Sequence, residues 1–123
     1  MRLISFEHEG RASFGLVREG GIVDAGQRLG EQFPDLKAVL HAGARDELHA
    51  LENTAPDVGM GDVIHQPVIP NAEKILCVGI NYMGHIKETG REPPEYPVMF
   101  TRFADTFVGH DQAIVRPAVS TDL

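Results

Sequence analysis

The amino-acid sequence predicts an α+β fold that is rich in β-strands. Three observations support this prediction: short apolar runs separated by glycine turns, two short helical patterns, and a near-continuous apolar run from residue 75 to residue 80. Hydrophobic residues make up 42% and charged residues 24% of the 123 residues, which is the balance of a globular protein. We expect a small N-terminal domain over residues 1–70 and the beginning of a second, β-rich domain over residues 71–123.

The N-terminal part is predicted to begin with a small antiparallel meander. Residues 2–8, 12–18 and 21–25 resemble short strands, and the turns between them contain Gly10 and Gly20. Two short helices follow, over residues 34–42 and 45–53, because leucine and valine recur there at helical spacing. Residues 63–69 form an extended segment whose prolines restrict it to an edge or a linker.

Nothing in residues 1–70 predicts chemistry. His41 and His49 lie on separate predicted helices with no metal-ligand spacing, so we interpret them as solvated surface residues. Asp46 and Glu47 fall at the start of the second helix, where acidic side chains complement the helix dipole.

Composition also excludes several partners and locations. The formal net charge of −7 argues against a nucleic-acid partner, which selects a basic face. The single cysteine, Cys77, cannot form an internal disulfide, and the N-terminus lacks the apolar run of a signal peptide. The apolar runs are far shorter than the roughly 20 residues that span a membrane. We therefore expect a cytoplasmic protein with no membrane partner.

The second domain is predicted to begin with a buried strand over residues 75–80, in which Cys77 is a core residue. Asn81 is predicted to cap a helix over residues 82–89, and Gly90 to end it. Such a short helix is marginal by itself, and the Pro-rich segment after it resists regular structure. The combination is typical of a mobile lid.

The remaining residues are predicted to be strands. Residues 98–103 form a strand, and residues 106–109 and 113–116 form two short strands joined by a turn at residues 110–112.

The predicted lid helix carries a candidate catalytic pair. His85 and Glu88 are three residues apart, so a helix places them on one face within contact distance. A carboxylate beside an imidazole fixes its tautomer and raises its basicity, as a general base requires. Tyr82 could donate a hydrogen bond on the same side, and Arg102 on the next strand could anchor an anion. The alternative, a solvated surface contact between His85 and Glu88, stays open on these residues alone.

The segment KILCVGINYMGHIKETGREPPEYPVMFTRF, continued by FVGHDQAIVRP, resembles the start of the catalytic domain of the fumarylacetoacetate hydrolase family. The matching features are the strand ending in Gly79, Asn81-Tyr82, His85 and Glu88, the Pro-rich loop and the strand after it. The resemblance covers residues 72–123 and implies an acylpyruvate hydrolase-like or isomerase-like enzyme with a mixed β-rich fold. Its substrates would be small dicarboxylic, 2-oxo or 1,3-dicarbonyl acids.

The resemblance also implies roles. His85 would be the general base, Glu88 would orient it, and Mg²⁺ or Mn²⁺ would chelate the substrate of the complete enzyme. In the family, an E-x-E pair and a later aspartate hold the metal, beyond Leu123. Asp105, Asp111 and Asp122 offer no clustered spacing, so we identify no metal ligand in this chain. Many relatives have lysine where this chain has Arg102, which puts its role as substrate anchor in question.

Two hypotheses follow. The first is that this chain is the N-terminal portion of a metal-dependent hydrolase that cleaves a carbon–carbon bond, inactive alone and completed in a homo-oligomer or by another chain. It predicts exposed apolar surface on the strands at residues 75–80 and 98–103. The second is a non-catalytic binding domain in which His85 and Glu88 are incidental.

Overall fold

The computed structural model describes residues 1–90 and 92–122, which divide into two compact units. The first unit joins Met1–Asn71 with the segment that starts at Phe107, and the second is Ala72–Thr106. The domain boundary near residue 70 stays a prediction. The first unit has the strands and helices β1 (Leu3–His8), β2 (Arg11–Arg18), β3 (Gly21–Asp24), α1 (Ala25–Leu29), α2 (Leu36–His41), α3 (Arg45–Ala50) and β4 (Ile64–Gln66). The second has β5 (Ile75–Gly79), α4 (Met83–Thr89) and β6 (Val98–Arg102).

The first unit contains the predicted antiparallel meander. Its sheet has the strand order β3-β2-β1-β4, and β1 pairs with β2 from Leu3↔Leu16 to His8↔Arg11. The segment around β4 occupies the sheet edge, as its prolines predict. The α+β class is therefore confirmed.

The hydrophobic core of the first unit is enclosed. One cluster joins the sheet to the helices, and a smaller one lies beside it. The fully or largely buried members are Phe14, Leu16, Val23, Ala25, Phe33, Leu36, Val39 and Leu48 in the first cluster and Ile4, Phe6 and Ile22 in the second. The helices α2 and α3 are shorter than predicted. Asp35 caps α2 by accepting a hydrogen bond from the Ala38 backbone N–H, so that helix begins after Pro34.

Helix α1 was not predicted from the sequence. The buried Asp24 is its N-cap and accepts a hydrogen bond from the backbone N–H of Gln27. The side chains of Arg11 and Ser13 also donate to this carboxylate. An aspartate three residues before a glutamine is a helix-start signal, and it could have revealed α1.

A second ion pair ties α1 to the loop before β4. The Arg28 guanidinium binds both carboxylate oxygens of Asp57, at 2.6 Å and 2.8 Å. The Asp24 backbone N–H also donates to Asp57. These bonds stabilise the ionised carboxylate, so the pKa of Asp57 lies below its ordinary value, while the pKa of Arg28 is raised.

The second unit is built on an antiparallel pair of strands. β5 and β6 pair from Gly79↔Val98 to Ile75↔Arg102. The prediction that β5 is buried on both faces is wrong for the described residues: Leu76 is 67% exposed, Val78 is also exposed, and Cys77 is half-buried. Every residue of β6 is exposed. Apolar side chains on both strands therefore face solvent.

The two short strands predicted near the C-terminus are not found within residues 103–122. Ala104–Thr106 is a 3-10 turn, and the predicted turn at residues 110–112 is present, with the Gln112 N–H bonded to the Gly109 carbonyl. Gly109 approaches the His65 carbonyl so closely that no side chain would fit there. His110 stacks on His65 with ring centroids 5.4 Å apart. This segment is therefore held by close packing beside the edge strand β4 instead of forming a strand of its own.

No helix in the described part of the chain combines the length and apolar character needed to cross a membrane.

Candidate active site

Helix α4 is anchored in the second unit by one side chain. Ile86 is 6% exposed, and its backbone N–H donates to the Tyr82 carbonyl. The predicted cap at Asn81 is wrong: the helix begins at Met83, and Tyr82 occupies the N-cap position without a side-chain hydrogen bond. The chain bends at Ile80, three residues before the helix begins. Gly90 ends the helix in the left-handed conformation, with φ of 63°, as predicted.

The predicted acid–base pair lies on the exposed side of this helix. The Nδ1 atom of His85 is 3.7 Å from Oε2 of Glu88, and the two side chains are 56% and 78% exposed. That distance is too long for a hydrogen bond but allows an ion pair when His85 is protonated. A small side-chain rotation would bring the two atoms into hydrogen-bonding distance. The pair is thus assembled on one face of α4, while Ile86 anchors another face.

Tyr82 and Arg102 are placed differently from each other. Tyr82 directly precedes α4 and is largely exposed. Arg102 lies at the other end of the ladder, because it pairs with Ile75 whereas α4 follows Gly79. Four residue steps along a strand correspond to about 14 Å. The Arg102 guanidinium instead lies 5.9 Å from the centre of the Phe100 ring. The structure therefore does not bring Arg102 beside His85, and its role as substrate anchor stays a prediction.

A cavity of about 540 Å³ opens where β5 meets α4 and the Pro-rich loop. Most of the side chains around it are apolar, and Glu95 is the charged residue among the described lining residues. The lining residues are Val78, Gly79, Ile80, Asn81, Ile86, Pro93, Pro94, Glu95, Tyr96, Pro97, Val98 and Met99. His85 and Glu88 are on the same helix as Ile86 but do not line the cavity.

One feature of the cavity wall was missed by sequence reasoning. Ile80 adopts the left-handed conformation, with φ of 51°. A β-branched residue in this region is an outlier, because its Cβ crowds the following carbonyl. No composition or spacing signal identifies such a position. The structure alone reveals it, directly between the strand and the helix that carries the candidate base.

A metal site does not form within the described residues. Among residues 1–90 and 92–122, no group of three or more histidine, cysteine, aspartate or glutamate side chains could hold a metal ion. A hard cation such as Mg²⁺ needs several oxygen ligands. The described residues therefore do not fit such a cation.

A histidine–glutamate pair on a helix at a strand end, within a β-rich α+β fold, is the arrangement of a candidate acid–base enzyme. Residues 74–123 match the family model described as fumarylacetoacetate (FAA) hydrolase C-terminal. This part of the chain therefore resembles the fumarylacetoacetate hydrolase family, whose members include hydrolases and isomerases.

Parts of this chain are also similar to individual curated proteins. An uncharacterized protein of Methanocaldococcus jannaschii is 43% identical over 47 residues, which is 38% of this chain and 20% of the relative. Human mitochondrial oxaloacetate tautomerase FAHD2A is 31% identical over 74 residues, 60% of this chain and 24% of the relative. The chain thus spans about a fifth to a quarter of these curated relatives.

A solved structure shares the fold. The crystal structure of a protein described as HpcE from Mycobacterium smegmatis superposes with a TM-score of 0.67 and 26% identity. The match covers 93% of this chain and 40% of that chain. The likeness thus extends over both units of the present chain.

Proposed function

We propose that this chain supplies the general-base pair of a hydrolase or isomerase that acts on 2-oxo or 1,3-dicarbonyl acids. The observation that carries the proposal is the His85–Glu88 pair, held 3.7 Å apart on a short helix directly after strand β5. The helix adjoins a cavity large enough for a small organic acid. The match to the family model and the names of the relatives support this class of reaction.

In this proposal, His85 accepts a proton through Nε2. Its Nδ1–H donates to Glu88 once the side chains close the remaining distance, which leaves a lone pair on Nε2 and stabilises the imidazolium that forms. In a carbon–carbon bond hydrolysis, the proton comes from the attacking water, whose oxygen bonds to the carbonyl carbon; the carbon–carbon bond then breaks, its electron pair stays on the leaving carbon, and that carbon takes the proton back from His85. In a tautomerisation, the proton comes from the carbon next to the 2-oxo group, the electron pair of that C–H bond forms the enol double bond, and the carbonyl oxygen gains a proton from water, to which His85 returns its own.

The exposure of the pair suggests how the site would be used. Helix α4 rests on a single buried side chain, Ile86, and is followed by a Pro-rich segment. An element with so few buried contacts can move at low cost. We propose that α4 closes over bound substrate and that His85 becomes shielded from bulk water only then.

The proposed enzyme needs parts that the described residues do not provide. A Mg²⁺ or Mn²⁺ site would come from residues outside them, in a homo-oligomer or from a complementing chain. We expect the purified 123-residue chain to show no turnover by itself, even with added Mg²⁺. We also propose a cytoplasmic location, although the curated oxaloacetate tautomerases are named as mitochondrial.

A chimera tests the role of the pair. Residues 74–123 would replace the matching segment of human oxaloacetate tautomerase FAHD2A, and oxaloacetate tautomerisation and acylpyruvate cleavage would be measured. We expect His85→Asn to lower the faster of these activities by about 10²–10⁴-fold, the usual contribution of a positioned base. Glu88→Gln should give a smaller loss, because it weakens only the orientation of His85.

The matched control is Lys87→Gln, an exposed change on the same helix. It should leave turnover within about twofold of the unmodified chimera, as surface changes generally do. If the chimera is active and His85→Asn is no worse than this control, the general-base proposal is wrong.

A second candidate is a non-catalytic binding domain, which the exposure of His85 favours. In that case, the chimera would fold but show neither activity, and the His85→Asn variant of the 123-residue chain would bind its partner as well as the native chain does.

A further inference from the structure

Ile80 is the one non-glycine residue of the described second unit with a positive φ. The chain uses glycine at Gly10, Gly20, Gly21, Gly43 and Gly90, where positive φ also occurs. The two other non-glycine residues with positive φ, Glu9 and Asp111, lie in surface turns. A β-branched residue at Ile80 costs about 1–2 kcal/mol relative to a residue that tolerates the left-handed region. The backbone alone would favour glycine or asparagine here.

The side chain therefore has to provide something that glycine or asparagine would not. Ile80 lines the cavity between β5, α4 and the Pro-rich loop. It is only half-buried, so it adds little to a closed core. An isoleucine kept at a backbone cost, beside open space, is typical of a residue that contacts a ligand.

The charge around the cavity indicates which part of a ligand lies there. Val78, Ile86 and Val98 contribute further apolar surface. Glu95 is the charged member of the described lining, and its carboxylate repels another carboxylate. The acidic end of a substrate is thus disfavoured in this cavity, whereas an apolar end would bury against it.

We propose that Ile80 is a specificity-determining residue, the wall of a subsite that takes the apolar end of a 2-oxo acid, opposite its carboxylate. This inference rests on the proposed function and narrows its substrate class to acids with an apolar tail. It also predicts discrimination against acids with a second carboxylate at the far end.

The test uses the 123-residue chain and a series of 2-oxo acids: pyruvate, 2-oxobutanoate, 2-oxopentanoate and 2-oxohexanoate. Dissociation constants would be measured from NMR shifts of the isoleucine methyl groups. We expect each added methylene to tighten binding about fourfold, the effect of burying one methylene. 2-Oxoglutarate should bind more weakly than 2-oxopentanoate.

Two variants separate contact from packing. Ile80→Asn suits the left-handed backbone but removes the apolar side chain. The dissociation constant should then change less than twofold for each methylene added to the 2-oxo acid. Ile80→Val keeps an apolar, β-branched wall and should retain the dependence, as should the surface control Lys87→Gln.

The proposal is overturned if no acid of the series binds, if the native chain shows no dependence on chain length, or if Ile80→Asn retains it. It is also overturned if Ile80→Asn lowers the thermal unfolding midpoint as strongly as the loss of a core side chain, because Ile80 would then be a packing residue. These binding measurements require no proton transfer, so a negative result does not contradict the proposed role of His85 as a general base. Likewise, a negative result for His85→Asn in the chimera does not contradict the proposed subsite at Ile80.

Discussion

The two units of this chain differ in how they bury apolar side chains. In the first, the sheet and three helices enclose residues such as Phe14 and Leu36, which are almost inaccessible to solvent. In the second, the β5–β6 pair has no comparable enclosed cluster among the described residues, and Phe100 is 44% exposed. Both units are rich in apolar residues, so the difference lies in coverage rather than in composition.

This contrast separates stability from the proposed chemistry. The first unit has the enclosed core and the Asp24 and Arg28–Asp57 networks. Its own histidine–glutamate pair, His49 and Glu52 at 3.5 Å, lies outside the residues that match the family model, and Glu52 also pairs with Arg18. The second carries His85, Glu88 and the strained Ile80 on elements with few buried contacts. Functional elements that move are drawn from regions of low local stability. We therefore expect mutations in the two units to affect different measurements.

The largest expected effect compares two phenylalanines. Phe14→Ala should lower the free energy of unfolding by about 3–5 kcal/mol, because it leaves a cavity in the enclosed core. Phe100→Ala should change it by less than about 1 kcal/mol, since nearly half of that side chain is already in water. Urea unfolding of both variants, followed by far-UV circular dichroism, measures the difference.

An equal loss in the two variants would contradict this comparison. It would mean that the β5–β6 surface is covered in solution, for example by a second copy of the chain. A dependence of the Phe100→Ala effect on protein concentration would then identify self-association.

The next effect lies within helix α4 and compares two glycines. Gly90 has φ of 63°, and Gly84 lies inside the helix with open space around its Cα. Gly90→Ala should destabilise α4 by about 1 kcal/mol, because alanine resists the left-handed conformation. Gly84→Ala should stabilise it by about 0.5–1 kcal/mol, because alanine is the better helix former.

The rates of amide hydrogen exchange in α4 measure the effects of Gly90→Ala and Gly84→Ala. A shift of about 1 kcal/mol corresponds to about a fivefold change in the opening equilibrium, in opposite directions for the two variants. Equal protection in both would show that α4 does not open independently of the rest of its unit.

Much of the first unit could be predicted from sequence, because its signals are local. Glycine turns and alternating apolar residues define β1 to β3, and their register follows from the short turns. Helix α1 was missed because Gly26 obscures its pattern and only the Asp24 cap marks its start. The strands predicted after residue 105 were wrong because a tertiary contact, Gly109 against the His65 carbonyl, decides that segment.

The candidate site was only partly predictable. The three-residue spacing of His85 and Glu88 identified the pair, since helical geometry brings such residues together. The separation of Arg102 from α4 depends on the register of the β5–β6 pair. That register cannot be predicted from the sequence spacing of these residues. The backbone conformation of Ile80 is one that isoleucine disfavours, so it cannot be predicted from residue propensities.

The smallest expected effect is the acid dependence of the first unit. The bidentate bond from Arg28 holds the pKa of Asp57 below its ordinary value of 3.8. Because the folded-state pKa is the lower one, this ion pair stabilises the fold fully above pH 3.8 and loses its contribution as the pH falls through the folded-state value. The difference in unfolding free energy between the native chain and Asp57→Asn should therefore be constant near neutral pH and shrink below pH 3.8.

Glu31→Gln, which removes an exposed charge of the same unit, is the control for net charge. A difference that grows on acidification would show that the ion pair does not stabilise this unit, and the contrast between the two units would then rest on the hydrophobic core alone.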